Sequence, residues 1–263
     1  MNPLFIEEIL LSFIVAGIWI TIVTVIAERF GSKMGGIFGN LPSNILVSLL
    51  FIGLTQAPQF AANSASIVPL AMAIDTVFLF VFIVTAEKFG KASFAVALLT
   101  WFLLALPLGG FQYSNIIIGV IIYVIITALL TLVVVKKLDI THMKKRNAEY
   151  TLAELSTRGL ISGGIVATTV AIAAAFGPLW GGIFATFPAV MFSTMYLLTR
   201  SQGADFARAA GKTMLPASAN IIVYAISVNI TYPLFGLGYG TAISYAAALI
   251  FVLLAYPFLS KMK

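Results

Sequence analysis

Long apolar stretches separated by short polar or glycine-rich segments follow one another along the whole chain. A helix needs about 20 apolar residues to cross the hydrocarbon core of a bilayer. Stretches of about this length predict nine helical spans, at residues 9–27, 34–55, 64–86, 92–108, 114–135, 159–176, 179–199, 214–234 and 239–259. The pattern therefore predicts an all-α integral membrane protein.

The composition excludes a water-soluble fold. Hydrophobic side chains make up 61% of the 263 residues and charged ones 9%, whereas soluble domains carry about 25% charge. The chain has no cysteine and one histidine, so we predict no disulfide, metal site or cofactor. The N-terminal residues MNPLFIEEILLSF lack the basic region of a secretory signal. We therefore expect the first span to be retained.

The positions of the basic residues predict the orientation in the membrane. Lysine and arginine near helix ends favour the cytoplasmic side. In a nine-span topology all 15 of them fall in the segments after spans 1, 3, 5, 7 and 9. This arrangement places the N-terminus, with Glu7 and Glu8, outside and the C-terminus in the cytoplasm. We expect a multi-pass protein of the plasma (inner) membrane, in which the net charge of +6 reflects orientation and not a nucleic-acid partner.

The chain contains an internal repeat with an offset of 146 residues. The segment IAERFGSKMGGIF at 26–38 shares eight of thirteen positions with IAAAFGPLWGGIF at 172–184, and the same offset aligns Pro42 with Pro188. Such self-similarity indicates a duplicated unit. The predicted parts are a first repeat of four spans at 1–112, a linking helix with a basic cytoplasmic loop at 113–150, and a second repeat of four spans at 151–263.

The two repeats are predicted to have opposite orientations. Five spans separate equivalent points, and an odd number reverses the direction in which the chain crosses the membrane. The result is an inverted repeat of 4+1+4 form, related by a pseudo-two-fold axis in the membrane plane. Inverted repeats are typical of secondary transporters, whose substrate sites lie near the midplane.

Matched prolines predict breaks in spans 2 and 7. Because proline lacks an N–H group and clashes with the preceding turn, Pro42 and Pro188 should interrupt their helices within the membrane. The half-helix after each break would direct its free N–H groups and positive dipole end at the gap. The nearby polar side chains that could line a site are Asn40, Ser43, Asn44, Thr186 and Ser193. Close helix packing is the alternative explanation for the glycines that precede these breaks.

Spans 3 and 8 carry a second pair of prolines and the acidic candidate. Pro69 and Pro216 predict further breaks, and Asp75 follows the first of them, whereas Ser218 and Asn220 follow the second. Asp75 is the one acidic residue predicted in the middle of a span. An unpaired carboxylate there costs about 2.5–3.5 kcal/mol, so Asp75 should be protonated, solvated or bound to a cation. Coupling to H⁺ or Na⁺, a structural hydrogen bond and a pore-lining charge are the three interpretations.

Together these features predict a secondary active transporter that moves a small polar or charged solute by alternating access, coupled to H⁺ or Na⁺. The alternative is a cation-selective channel whose broken helices form the constriction. No arrangement of nucleophile, base or metal ligands indicates an enzyme. The expected partners are a small-molecule or ion substrate and membrane lipids, and a homo-oligomer is left open. Trp19, Trp101 and Trp180 are expected to contact lipid or to lie in an aromatic belt.

Overall fold

The computed structural model describes residues 3–29, 41–110, 115–138 and 151–259. Within these residues every element of regular secondary structure is a helix, which confirms the predicted all-α class. The helices are α1 (Pro3–Arg29), α2 (Ser43–Thr55), α3 (Pro58–Phe89), α4 (Ala92–Leu108), α5 (Ile116–Lys137), α6 (Leu152–Phe176), α7 (Pro178–Ala185), α8 (Ala189–Gln202), α9 (Ala204–Ala217) and α10 (Ala219–Leu259).

Several of these helices are suited to a lipid environment. Six helical stretches of the described residues are long and apolar enough to cross a membrane: Phe5–Val23, Pro58–Phe89, Ile116–Lys136, Leu152–Phe176, Pro178–Gln202 and Ala204–Ala255. The helices α2 and α4 are apolar but shorter. This set is typical of a multi-pass membrane protein, whereas the count of nine spans stays a prediction.

Local sequence explains where several helices begin and turn. Thr151 and Glu154 form a capping box at the start of α6, in which each side chain accepts a hydrogen bond from the other residue's backbone N–H. Gly177 and Gly203, with φ of 94° and 98°, make the tight connections α6–α7 and α8–α9. Gly236 has a φ of 71° and a non-helical backbone, so it bends the long helix α10.

The helix α3 is the centre of the structure. It contacts α2, α4, α5, α7, α9 and α10, and most of its middle residues are buried. The contact with α7 is especially close, because a β-carbon added to Gly182 would collide with the carbonyl oxygen of Ser64 and with the side chain of Ile67. A small residue at position 182 therefore allows the two backbones to approach each other.

A second close contact joins α1 to α6. A β-carbon on Gly17 would lie 3.1 Å from the carbonyl oxygen of Gly159, and one on Gly163 would lie 2.5 Å from that of Phe13. Four residues forward along α1 thus correspond to four residues backward along α6. The two helices are antiparallel where they cross.

Two expectations about helix breaks are wrong in detail. Pro69 lies inside α3, which continues through it, because one proline removes only a single backbone hydrogen bond and neighbouring helices can support the kink. Pro216 lies in the last turn of α9, and the interruption falls at Ser218. Lys212 lies within α9 and is 4% exposed, and its position on the cytoplasmic side stays a prediction.

Candidate functional site

A small cavity of about 70 Å³ lies between the starts of α2 and α8. Its walls come from the start of α2, the α7–α8 break, the middle of α3 and the α9–α10 junction. Most of the polar residues and two of the prolines singled out in the sequence line this cavity: Pro42, Ser43, Asn44, Asp75, Thr186, Pro188, Ser218 and Asn220. Ser193 does not line it, and Asn40 lies outside the described residues.

The helices α2 and α8 begin with similar backbone geometry. Pro42 has φ −76° and ψ 53°, and its equivalent Pro188 has φ −73° and ψ 38°. In the first copy the Ser43 N–H donates to the Leu41 carbonyl at 2.7 Å, and in the second the Ala189 N–H donates to the Phe187 carbonyl at 2.6 Å. The two helix starts that the offset of 146 residues pairs in the sequence therefore share this local geometry.

Asp75 is buried beside the cavity and is bonded to a tryptophan. Its side chain belongs to a residue that is 2% exposed, and Oδ1 accepts a hydrogen bond of 2.6 Å from the indole Nε1–H of Trp101 on α4. In the part of the chain that the structure describes, Asp75 makes no ion pair. A neutral N–H group can orient a carboxyl group but cannot neutralise its charge.

Trp101 also connects Asp75 to the second helix break. Its ring lies edge-on to Phe187, with centroids 5.0 Å apart, and to Phe184 at 6.0 Å. At 1% exposure it does not contact lipid, so its assignment to a lipid-facing position is wrong. No local pattern predicts this role, because Trp101 is 26 residues from Asp75 and belongs to an otherwise apolar span.

The linking helix α5 contributes a second buried hydrogen bond. Ser218 donates to the Leu215 carbonyl at 2.7 Å, and its oxygen lies 2.7 Å from the Tyr123 hydroxyl on α5. Because the single hydroxyl hydrogen of Ser218 is used in the first bond, Tyr123 donates the second. The sequence predicts no site role for Tyr123, because the segment 113–150 is expected only to connect the two repeats.

The polar groups around the cavity differ in how far they are already used. Thr186 donates to the Ile183 carbonyl at 2.8 Å, and Ser193 donates to the Val190 carbonyl at 3.2 Å. In contrast, Asn220 is 0% exposed and neither its Oδ1 nor its Nδ2 has a hydrogen-bond partner among the described residues; the Oδ1 of Asn44 is also unpaired. Buried amides are normally satisfied, so among the described residues that line the cavity both amide atoms of Asn220 and the Oδ1 of Asn44 are available to a ligand.

These observations describe an all-helical, multi-pass type of membrane protein with a cavity where the starts of α2 and α8 meet α3. Residues 9–109 match a family model described as a protein of unknown function, DUF3147. The match covers 101 of the 263 residues (109 − 9 + 1) and lies within the predicted first repeat, 1–112. No curated protein and no solved structure matches the chain.

Proposed function

We propose that this protein is a secondary active transporter that moves a small polar or charged solute by alternating access, coupled to H⁺ or Na⁺ through Asp75. The observation that carries the proposal is the position of this buried acid in a cavity between the starts of α2 and α8, which follow the matched prolines Pro42 and Pro188. Substrate sites at broken helices are typical of inverted-repeat transporters.

The proposal includes nine spans in a 4+1+4 arrangement in the plasma (inner) membrane. The N-terminus lies outside and the C-terminus lies in the cytoplasm. The helical stretch Ala204–Ala255 has 52 residues, which amounts to about 78 Å at 1.5 Å per residue. A bilayer core is about 30 Å thick, so this stretch is long enough for two crossings, and the bend at Gly236 separates them. The proposal assigns the remaining crossings to the predicted spans 34–55 and 92–108, which include the shorter helices α2 and α4.

The contacts between α1 and α6 support a two-fold relation between the repeats. Position 13 is equivalent to 159, and position 17 is equivalent to 163. The contact of Gly17 with Gly159 and that of Phe13 with Gly163 are therefore one contact repeated by the proposed axis. Self-complementary contact of this kind is the property of a two-fold interface.

A second equivalent pair joins α3 to the other repeat near its two ends. Arg208 Nε donates to the Ile83 carbonyl at 2.9 Å, and Asn229 Nδ2 donates to the Ala62 carbonyl at 2.7 Å. The offset of 146 residues relates Ala62 to Arg208 and Ile83 to Asn229, so the two residue pairs are equivalent. The residue that donates in one pair corresponds to the residue that accepts in the other. We name them the Arg208 contact and the Asn229 contact.

These two contacts are placed where gates would be needed. Ala62 and Ile83 are 21 residues apart on α3, or about 32 Å at 1.5 Å per residue, and Asp75 lies between them. Arg208 also pairs with Glu87 at 2.6 Å and Asp205 at 3.1 Å. In the proposed cycle the Arg208 contact closes the cytoplasmic side, the Asn229 contact closes the outer side, and each breaks in turn.

Coupling follows from the surroundings of Asp75. An ionised carboxyl group without a partner is costly in the membrane, and Trp101 supplies only a neutral donor. The loaded cavity can therefore reorient at low cost only when Asp75 carries a proton or a cation. This requirement links solute movement to an ion gradient.

A comparison of flux and conductance tests the proposal. Purified protein in liposomes should accumulate a solute from a panel of small anions, amino acids and cations only when an H⁺ or Na⁺ gradient is imposed. The same protein in planar bilayers should carry no steady ohmic current, because an alternating cavity is never open to both sides. A steady current that follows voltage linearly would contradict the carrier and favour the cation channel.

A further inference from the structure

The helix breaks and the unpaired amide of the cavity indicate the chemical class of the substrate. Resting on the proposed transport function, we propose that the cavity binds a small monovalent anion between the first turns of α2 and α8, and that this anion crosses together with a proton on Asp75.

The positive ends of two helices meet at the cavity. The helices α2, with 13 residues, and α8, with 14, both begin there, and Ser43, Asn44, Val190 and Met191 of their first turns line it. The Ser43 and Ala189 N–H groups already donate to the carbonyls of Leu41 and Phe187, whereas the N–H groups that follow them in each first turn have no acceptor within their own helix. Each helix start is equivalent to about half a positive charge, so the two starts together match one negative charge.

An independent observation also points to a ligand. Asn220 lines the same cavity, is 0% exposed, and has neither amide atom bonded among the described residues. A side-chain amide supplies two N–H donors, which can bind an anion. No lysine or arginine of the described residues lines the cavity, so a bound anion is recognised by dipoles and amides.

The cavity has room for a small anion. Its volume of about 70 Å³ is several times the roughly 10–15 Å³ of cavity volume that one water molecule needs. Formate, nitrate and chloride are of this scale. Because the two helix ends together offset about one charge, a divalent anion such as sulfate would leave a buried charge unmatched.

The position of Asp75 in the same cavity accounts for the proton. Two negative charges so close together in a medium of low dielectric constant repel each other strongly, so an anion binds when Asp75 is neutral. Binding should therefore weaken as the pH rises.

The helices α2, α4 and α7, which pack against α3, carry no titratable side chain. The described titratable side chains on the other helices that contact α3 include Tyr123, Lys136, Asp205, Arg208, Lys212, Tyr224, Tyr232, Tyr239 and Tyr245, and α3 itself carries Glu87 and Lys88.

Thermal unfolding of the purified full-length protein tests the inference, because a ligand of the folded state raises the melting temperature. The probes are choline salts of formate, nitrate, chloride and sulfate, each titrated at several pH values. For the wild type we expect stabilisation by at least one of the monovalent anions, a smaller effect at higher pH, and none from sulfate.

Variants assign the effect to the cavity. Asn220→Ala should lower the apparent affinity for the anion, measured from the shift in melting temperature, by about tenfold. This is the effect expected when a hydrogen bond to a charged group is lost. The matched control Asn63→Ala, an exposed asparagine on α3 that bonds Gln59, should behave as the wild type. Asp75→Asn should keep the anion effect and lose its pH dependence. If Asn220→Ala does not fold, Asn44→Ala and the pH dependence of the wild type give the same test.

Two results would overturn the inference. One is a panel in which no monovalent anion stabilises the wild type at any pH. The other is stabilisation by Na⁺ relative to choline with the same anion, lost in Asp75→Asn, which would identify a cation site. Either result would leave the proposed transporter intact, because that proposal fails instead on a steady ohmic current.

Discussion

Asp75→Asn is expected to abolish uptake against a concentration gradient while leaving exchange of solute across the membrane measurable. Asparagine has nearly the same shape as aspartate, and its side-chain oxygen can still accept the hydrogen bond from Trp101. It cannot bind and release a proton or balance a cation, so the link to the ion gradient is lost. Uptake driven by H⁺ or Na⁺ should fall to the level of protein-free liposomes.

The measurement compares concentrative uptake with counterflow of labelled solute in the same proteoliposomes. Glu7→Gln is the matched control, because Glu7 is an exposed carboxylate near the start of α1 and should not affect either activity. Thermal unfolding in detergent establishes that both variants are folded. Undiminished concentrative uptake by Asp75→Asn would show that another group couples transport.

Gly182→Ala is expected to destabilise the protein by about 1–3 kcal/mol, the usual cost of forcing an extra methyl group into a packed core. The added carbon would collide with the Ser64 carbonyl and the Ile67 side chain on α3. Backbone atoms cannot rotate away, so α3 and α7 must separate. Since α7 leads directly into the break at Pro188, transport should decrease as well.

The free energy of unfolding in mixed micelles measures this effect. Gly164→Ala is the control, because a β-carbon at Gly164 on α6 would meet no heavy atom within 4 Å. A helical glycine is about 0.5–1 kcal/mol less stable than alanine, so this change should be neutral or stabilising. Equal stability of the two variants would contradict the close contact between α3 and α7.

Residues with a strong local signal were the ones that could be predicted. An acidic residue in an apolar span and prolines in a repeated motif have few explanations in a membrane, and the structure brings Asp75, Pro42 and Pro188 to one cavity. Pro69 has the same signal but a different outcome. Whether a proline breaks a helix or only bends it depends on the helices packed around it, as they are around α3.

Tertiary partners had no such signal. Trp101 and Tyr123 are aromatic residues in apolar spans, where lipid contact is the usual role of such residues. Their hydrogen bonds to Asp75 and Ser218 depend on how α4 and α5 pack against their neighbours. The offset of 146 residues similarly predicts which residues are equivalent, but it does not predict where α1 crosses α6.

Alternating access is the central claim, and cross-linking the two α3 contacts tests it most directly in a chain that has no cysteine. A short bifunctional thiol reagent would join Arg208→Cys to Ile83→Cys, or Asn229→Cys to Ala62→Cys. Thr186→Cys, at a position that lines the cavity, would then be exposed to a membrane-impermeant thiol reagent from each side. With the Arg208 contact joined, labelling should occur only from outside, and with the Asn229 contact joined, only from the cytoplasmic side. Labelling from both sides whichever contact is joined would contradict the account.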